Sequence, residues 1–443
     1  MRSIHRPSKP PRRRTRRALA IGLTATLAAT ALAACSSDDE GGSEGGDEEI
    51  TLSVGLFGTI AYEAAGLYDE YERLHPNITI EQTSPQENDD YIRQLRNRLT
   101  QNSGLADIQA IEVGNIAEMA GELSPRWVDF NEYDVNLDHF QPWKVDQATD
   151  EDGRVIGLGY DIGPMAICYR TDLFEEAGLP TDREEVGELW AGDWNAYLDV
   201  GDDFIDGTSG DAAFVDSAAS LFNAAVYGYD ETFYNEAGET IYDDSPAVQD
   251  AWDLSVRAAQ TDGMSAQLDQ FSQEWNRAFA NSDFATIACP AWMLGSIEEY
   301  SAEDGEGNWD VAAAPMASNW GGSFIGVPEA AEHKEEAIEL AAWLSAPEQQ
   351  AKIFAETAAF PSSAEATTLP EVQDATSAYF NDAPIGQIFA ASAAEIPAAV
   401  IGTHTYTIQA EFTNGLVQIE QQGASPDSAW DDTLSSLDNA IAE

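Results

Sequence analysis

Ile50-Thr51-Leu52-Ser53-Val54-Gly55-Leu56-Phe57-Gly58 opens the stretch whose reading decides the fold. It is an apolar run of strand length, and it ends at glycines. From residue 61 to residue 75 the apolar positions change to helical spacing, with Ala64, Leu67, Tyr68, Tyr71 and Leu74 on one face. His75-Pro76-Asn77 stops that helix, and Ile78-Thr79-Ile80-Glu81-Gln82 predicts a second strand. Asp89 or Asp90 can cap a helix over 91–101, and Asp107-Ile108-Gln109-Ala110-Ile111-Glu112-Val113 predicts a third strand. Strands alternating with helices give an α/β fold with a parallel sheet. In such sheets ligands sit beyond the carboxyl ends of the strands, which puts Gly58, Glu112 and Asn115 at one rim.

Further along, Gly157-Leu158-Gly159-Tyr160-Asp161-Ile162-Gly163-Pro164 marks the start of a second unit. A strand over 165–169 and a helix over 172–177 follow, and Gly178-Leu179-Pro180 halts that helix. Residues 283–289 form another apolar strand, stopped by Pro290. Short strands over 309–315 and 322–327, a helix over 334–344 and a mostly helical tail over 401–423 and 428–442 complete the pattern. No internal repeat occurs at solenoid spacing.

Working back toward the amino terminus, the first seventeen residues carry eight bases, and no acid precedes Asp38. An Ala/Leu/Thr-rich stretch then runs to Leu32-Ala33-Ala34-Cys35. A basic start, a short apolar run and small residues before a cut make 1–34 a secretory leader. Leu-Ala-Ala-Cys resembles the lipobox of bacterial lipoproteins, which implies a lipid on Cys35. The Gly/Ser/acidic run 35–48 is then a charge-extended tether. Thr15-Arg16-Arg17-Ala18-Leu19 is similar to part of a twin-arginine signal, so two export routes stay open.

Removing the eight leader bases leaves 13 Lys and Arg against 79 Asp and Glu, a surplus of 66 acids. Such a chain repels nucleic acid and anionic lipid, which excludes nucleic-acid binding, and it suits a saline medium that screens its self-repulsion. The apolar content, 43%, and eleven Trp point to globular folding, and about 395 residues after the tether leave room for two sizeable domains; no cofactor is expected. Cys168 and Cys289, in runs that read as neighbouring strands, are either bridged or two separate buried thiols.

Residues 160–179, YDIGPMAICYRTDLFEEAGL, with Pro180-Thr181 and then Trp194-Asn195, resemble the middle of family 1 extracellular solute-binding proteins, the maltose-binding-like group. Phe284-Ala285-Thr286-Ile287-Ala288-Cys289-Pro290-Ala291-Trp292 is similar to the family's strand leading to a ligand-stacking tryptophan. Trp309-Asp310-Val311, Trp320-Gly321-Gly322-Ser323, Ala341-Ala342-Trp343-Leu344-Ser345, Glu348-Gln349-Gln350 and Phe360-Pro361-Ser362 follow in the family's order. The family's tryptophan often follows Gly-Pro or Gly-Gly, whereas Cys289-Pro290-Ala291 stand here, which puts the stacking position in doubt by a residue or two. The resemblance implies two α/β lobes of the type II periplasmic-binding fold joined by crossing strands. Lobe one would be 49–159 with 317–372, and lobe two 160–316 with 373–443. It also implies a monomeric binder of a carbohydrate that serves the membrane subunits of an ABC importer.

A sugar offers flat C–H faces and a rim of hydroxyls, so its binder needs aromatic platforms and fixed polar partners. Trp292 and Trp320 suit the platform role, and either could instead be a core anchor. Gly322 and Ser323 can present backbone N–H groups, and Asp161 can accept two hydroxyls or hold a hinge turn. Tyr406 is a candidate platform from the tail. Enzyme signatures are lacking: there is no Gly-x-Ser-x-Gly or His-Glu-x-x-His, and the five histidines are too scattered for a metal. Asp150, Asp152 and Gly153 imitate an EF-hand without acids at its ends, and a simple turn explains them better. The rival readings are a secreted polysaccharide hydrolase, or the same fold binding a polyamine, a peptide or another cation.

Overall fold

The computed structural model describes residues 49–58, 60–83 and 88–441. The expected leader 1–34, the expected lipid site Cys35 and the expected tether 35–48 lie outside the described residues. The described chain is mixed α/β, with nine strands, seven of them in one path β2-β1-β3-β8-β4-β6-β5 and two, β7 and β9, paired with β4 off that path. Strands β1 (Ile50–Gly55), β2 (Ile78–Gln82) and β3 (Ile108–Glu112) are parallel, with β1 in the middle. The remaining strands are β4 (Leu158–Arg170), β5 (Ala213–Val215), β6 (Phe284–Pro290), β7 (Trp309–Ala313), β8 (Asn319–Gly326) and β9 (Phe360–Pro361).

β4 organises the molecule. All thirteen of its residues are buried, as expected of a strand covered on both faces. Its first half pairs antiparallel with β8 and β9, and β8 in turn pairs with β3. Its second half pairs antiparallel with β6 and β7, while β5 lies parallel to β6. The pairing changes at Gly163-Pro164. Pro164 has no N–H to give a ladder, and the Gly163 N–H is taken by the Asn319 side chain at 2.8 Å. A Cβ at Gly163 would stand 1.9 Å from the Trp320 carbonyl oxygen, so only glycine lets β4 and β8 meet there.

Apolar side chains gather in three clusters along this path. Leu52, Val54, Ile111, Phe324 and Leu340 belong to the first, around β1–β3. Tyr169, Trp190, Tyr197, Phe214 and Phe412 form the second, on one face of the β4–β6 half. Cys168, Trp275, Phe284, Trp309 and Phe360 form the third, on its other face. There Cys168 and Cys289 are disulfide-bonded, with Cα atoms 5.5 Å apart. Helix Pro347–Thr357 serves two clusters, giving Ile353 to the first and Phe354 to the third.

Several boundaries differ from the sequence reading. Helix α1 is Leu67–Leu74, because residues 62–66 turn before Gly66 adopts a left-handed φ of 68°. Helix α2 spans Asn88–Gln101, so it starts before Asp89 and Asp90, which lie in its first turn. Val113 begins helix α3 (Val113–Ala120) and does not end a strand. The expected lobe boundary at residue 159 falls inside β4, where sequence showed a break. Asp150 heads a tight turn: its carboxylate accepts from the N–H groups of Asp152 and Arg154 and from Ser124.

Candidate functional site

A cavity of about 860 Å³ opens where the two halves of the sheet path meet. Its polar floor follows from strand register. Glu112 on β3 lies opposite Ser323 on β8, and Ser323 lies opposite Asp161 on β4. Directly paired residues of neighbouring strands point to the same face, so the three make one row. The β4–β8 register shifts on both sides of Asp161, as bulges do where a side chain must be re-aimed.

Each member of the row is held differently. Glu112 caps α3, accepting the Gly114 N–H at 2.7 Å. Burial pushes its carboxyl up to about 7. Asp161 is also raised by burial; the charge of Lys144 and hydrogen bonds from Ser323 pull the other way. Its Oδ1 has no hydrogen-bond partner. Lys144, on helix α4 (Pro142–Gln147), is buried behind the row, with its ammonium 3.7 Å from the centre of the Phe324 ring.

The walls are aromatic. Trp292 is half-buried, and its indole N–H donates to the Trp320 carbonyl oxygen at 3.0 Å. The two rings meet edge to face, 5.8 Å apart. Trp320 lines the cavity but is only 7% exposed and packs into the second cluster. Gly321 and Gly322 both have positive φ, and a Cβ on Gly322 would press within 3.1 Å of the Lys144 ammonium. Tyr406 packs its ring against the backbone of Gly114, where a Cβ would come within 3.3 Å of it.

Gly58, Glu112, Asp161, Trp292, Trp320, Gly322, Ser323 and Tyr406 therefore all line one cavity. Asn115 does not. Three residues past the Glu112 cap, its side chain is 1% exposed and accepts from Arg96 at 3.1 Å. The rim rule misplaced it because the chain turns helical immediately after Glu112.

Sequence reasoning missed several lining residues. Trp143 and Gln147, four apart on α4, face the cavity, and the Gln147 Oε1 is buried without a partner. The Asn276 Oδ1, on helix Gln273–Asn281, is in the same condition. Phe271 is 51% exposed, has a left-handed φ of 64°, and lies 6.2 Å from Trp292. Tyr227, Gln409 and Asn223 form a hydrogen-bonded chain in the lining. Gln141-Pro142 is a readable helix start; nothing in the sequence announces the loop before Phe271.

This architecture, two α/β halves joined by crossing strands around one cleft, is the two-lobe fold of periplasmic binding proteins. The chain belongs to the bacterial extracellular solute-binding proteins, whose family description matches residues 66–379. A crystal structure of an extracellular solute-binding protein of family 1 is 37% identical, superposes with a TM-score of 0.78, and covers 88% of this chain and 99% of its own. The lactose-binding protein of Rhizobium radiobacter is 26% identical over 63% of this chain, and the chain spans 66% of that protein's length. The fold also matches an ABC-transporter-associated binding protein from B. animalis subsp. lactis, solved with β-1,6-galactobiose. That protein is 16% identical, with a TM-score of 0.73 over 88% of this chain and 97% of its own. Among the described residues no cluster of three metal-ligating side chains occurs, and no helix is long and apolar enough to cross a membrane.

Proposed function

We propose that this chain is the solute-binding component of an ABC importer and takes a sugar or short oligosaccharide into the cavity. One observation carries the reading. Three acceptor atoms without donors, Asp161 Oδ1, Gln147 Oε1 and Asn276 Oδ1, lie among the aromatic walls of Trp143, Trp292 and Phe271. Buried acceptors left unpaired cost free energy, so the fitting guest brings O–H donors on an apolar body. A polyhydroxylated ring does both. The volume suits a guest of oligosaccharide size.

The lobes are 49–159 with 317–372 and 160–316 with 373–443, and they close on the guest about the crossing strands. No chemistry is performed on the solute. The leader exports the chain, Cys35 carries a lipid, and 35–48 tether it at the outer face of the cell membrane as a monomer. A cationic solute such as a polyamine is the second reading, favoured by Glu112, Asp161 and Asp269 in the lining. Lys144 beside the first two weakens it.

Thermal melting of the folded part with lactose, β-1,6-galactobiose, maltose and spermidine separates these readings. A cognate sugar at 100 times its Kd stabilises by about 2.7 kcal/mol and is recovered intact. A shift with spermidine alone overturns the sugar assignment; appearance of hydrolysis products overturns the binder.

A further inference from the structure

After the leader the chain has three lysines among its 79 acids, and two of them, Lys334 and Lys352, pair on the surface with Glu329 and Glu70. The third, Lys144, is 1% exposed, and its ammonium has no hydrogen-bond partner. Burying a lysine is costly unless opposite charge compensates, so its setting calls for an explanation. Its stem lies against Gly159 on β4, where a Cβ would stand 3.1 Å from the Lys144 Cγ. Its ammonium fills the space over Gly322 and rests on the Phe324 ring. Two carboxylates act on it, Asp161 from β4 and Glu112 from the end of β3. The phenols of Tyr62, Tyr160 and Tyr227 also act on these carboxylates or are acted on by them, and the β8 residues beside the row, Gly322, Ser323 and Phe324, carry no charge.

We propose that Lys144 is the positioning residue of the binding site: placed behind the Glu112–Ser323–Asp161 row, it keeps Asp161 ionised, so that the free Oδ1 accepts a solute hydroxyl. The proposal rests on the sugar-binding reading. Lys144 does not line the cavity, so it acts through Asp161 and not by touching the solute. Without it, two carboxylates in one buried row repel each other and hold protons to higher pH. A protonated Asp161 loses the charge-assisted bond and can present a donor to a donor. Burial lowers the lysine's own proton affinity while the two carboxylates raise it, so the three groups titrate together.

Lys144→Met, close in shape and without charge, tests this in the folded protein. With whichever sugar of the panel binds wild type, we expect affinity at pH 7 to fall at least about tenfold. The pH at which binding is half lost should also move up by about one pH unit, so that raising the pH recovers affinity. An affinity loss equal at every pH, or no loss, overturns the role of Lys144 and leaves the sugar reading intact. A wild type that binds no sugar overturns the sugar reading. The lysine role is then decided without ligand, by carbon-13 NMR of the Lys144 Cε, one of few lysine signals. In Asp161→Asn its titration midpoint should fall by about one pH unit, and an unmoved midpoint overturns the proposal. The same spectrum serves if Lys144→Met does not fold.

Discussion

Trp292 and Trp320 carry the same side chain and are joined by one hydrogen bond, yet their surroundings assign them different work. Trp292 faces the cavity between two apolar clusters, whereas Trp320 is packed into one of them. Trp292→Ala should leave a folded protein whose sugar affinity is weaker by about 2 kcal/mol, roughly thirtyfold. Trp320→Ala should cost about 3 to 5 kcal/mol of stability. Calorimetric titration and chemical unfolding of both variants check this, and equal effects on affinity would contradict the division. The sequence favoured neither ring clearly, because flanking glycines mark a turn without showing which way an indole points. Asp161 was legible, since an acid before Gly163-Pro164 in an apolar run needs a reason. Lys144 was not, because one base between Trp143 and Val145 on a short helix reads as solvent-facing until β4 and β8 close over it.

At the scale of elements, β4 shows where sequence patterning stops. The sequence reading starts a strand at Met165, after Gly163-Pro164, whereas β4 runs straight through that pair. The Asn319 side chain satisfies the Gly163 N–H, and the change of pairing partner occurs where Pro164 has nothing to donate. Apolar patterning marked β1, β2, β3, β6, β7 and β8 as strands but not the short β5 and β9, and the order β3-β8-β4 depends on contacts more than 150 residues apart.

Two helices give a second test at this scale. Glu420, on helix Thr405–Gln422, accepts from the Ala218 N–H at the start of helix Ala218–Val226 and from Ser265. Its Oε2 has no partner, and burial raises its carboxyl to about 7, with Asp216 adding in the same direction. A carboxyl raised on folding favours the folded state while protonated. Its contribution is therefore full below the ordinary glutamate value and is lost as pH rises through about 7. Glu420→Gln keeps the acceptor and removes the charge. Its melting temperature should fall less than that of wild type between pH 4.5 and 8, a gain of about 1 to 2 kcal/mol at pH 8. Melting curves across that range check it; parallel curves would show that Glu420 does not titrate there.

Over the whole molecule, a strongly acidic chain builds a cleft in which the carboxylates of Glu112 and Asp161 are partly offset by Lys144 behind them. The surface charge keeps the protein apart from nucleic acid and other anions, while the floor presents oriented acceptors to a neutral guest. Neither half of the sheet path supplies the site alone: Gly58 and Glu112 come from one side, Trp292 and Phe271 from the other, and Asp161 and Ser323 from the strands that join them. On the proposed closure of the lobes, binding and closure are one event, because only a guest that touches both halves favours the closed form. The most direct test is a crystal structure of the protein with the sugar that raises its melting temperature. The account predicts a sugar ring lying on Trp292 with one hydroxyl within hydrogen-bond distance of the Asp161 carboxylate. A sugar bound elsewhere, with Asp161 still facing no donor, would contradict it.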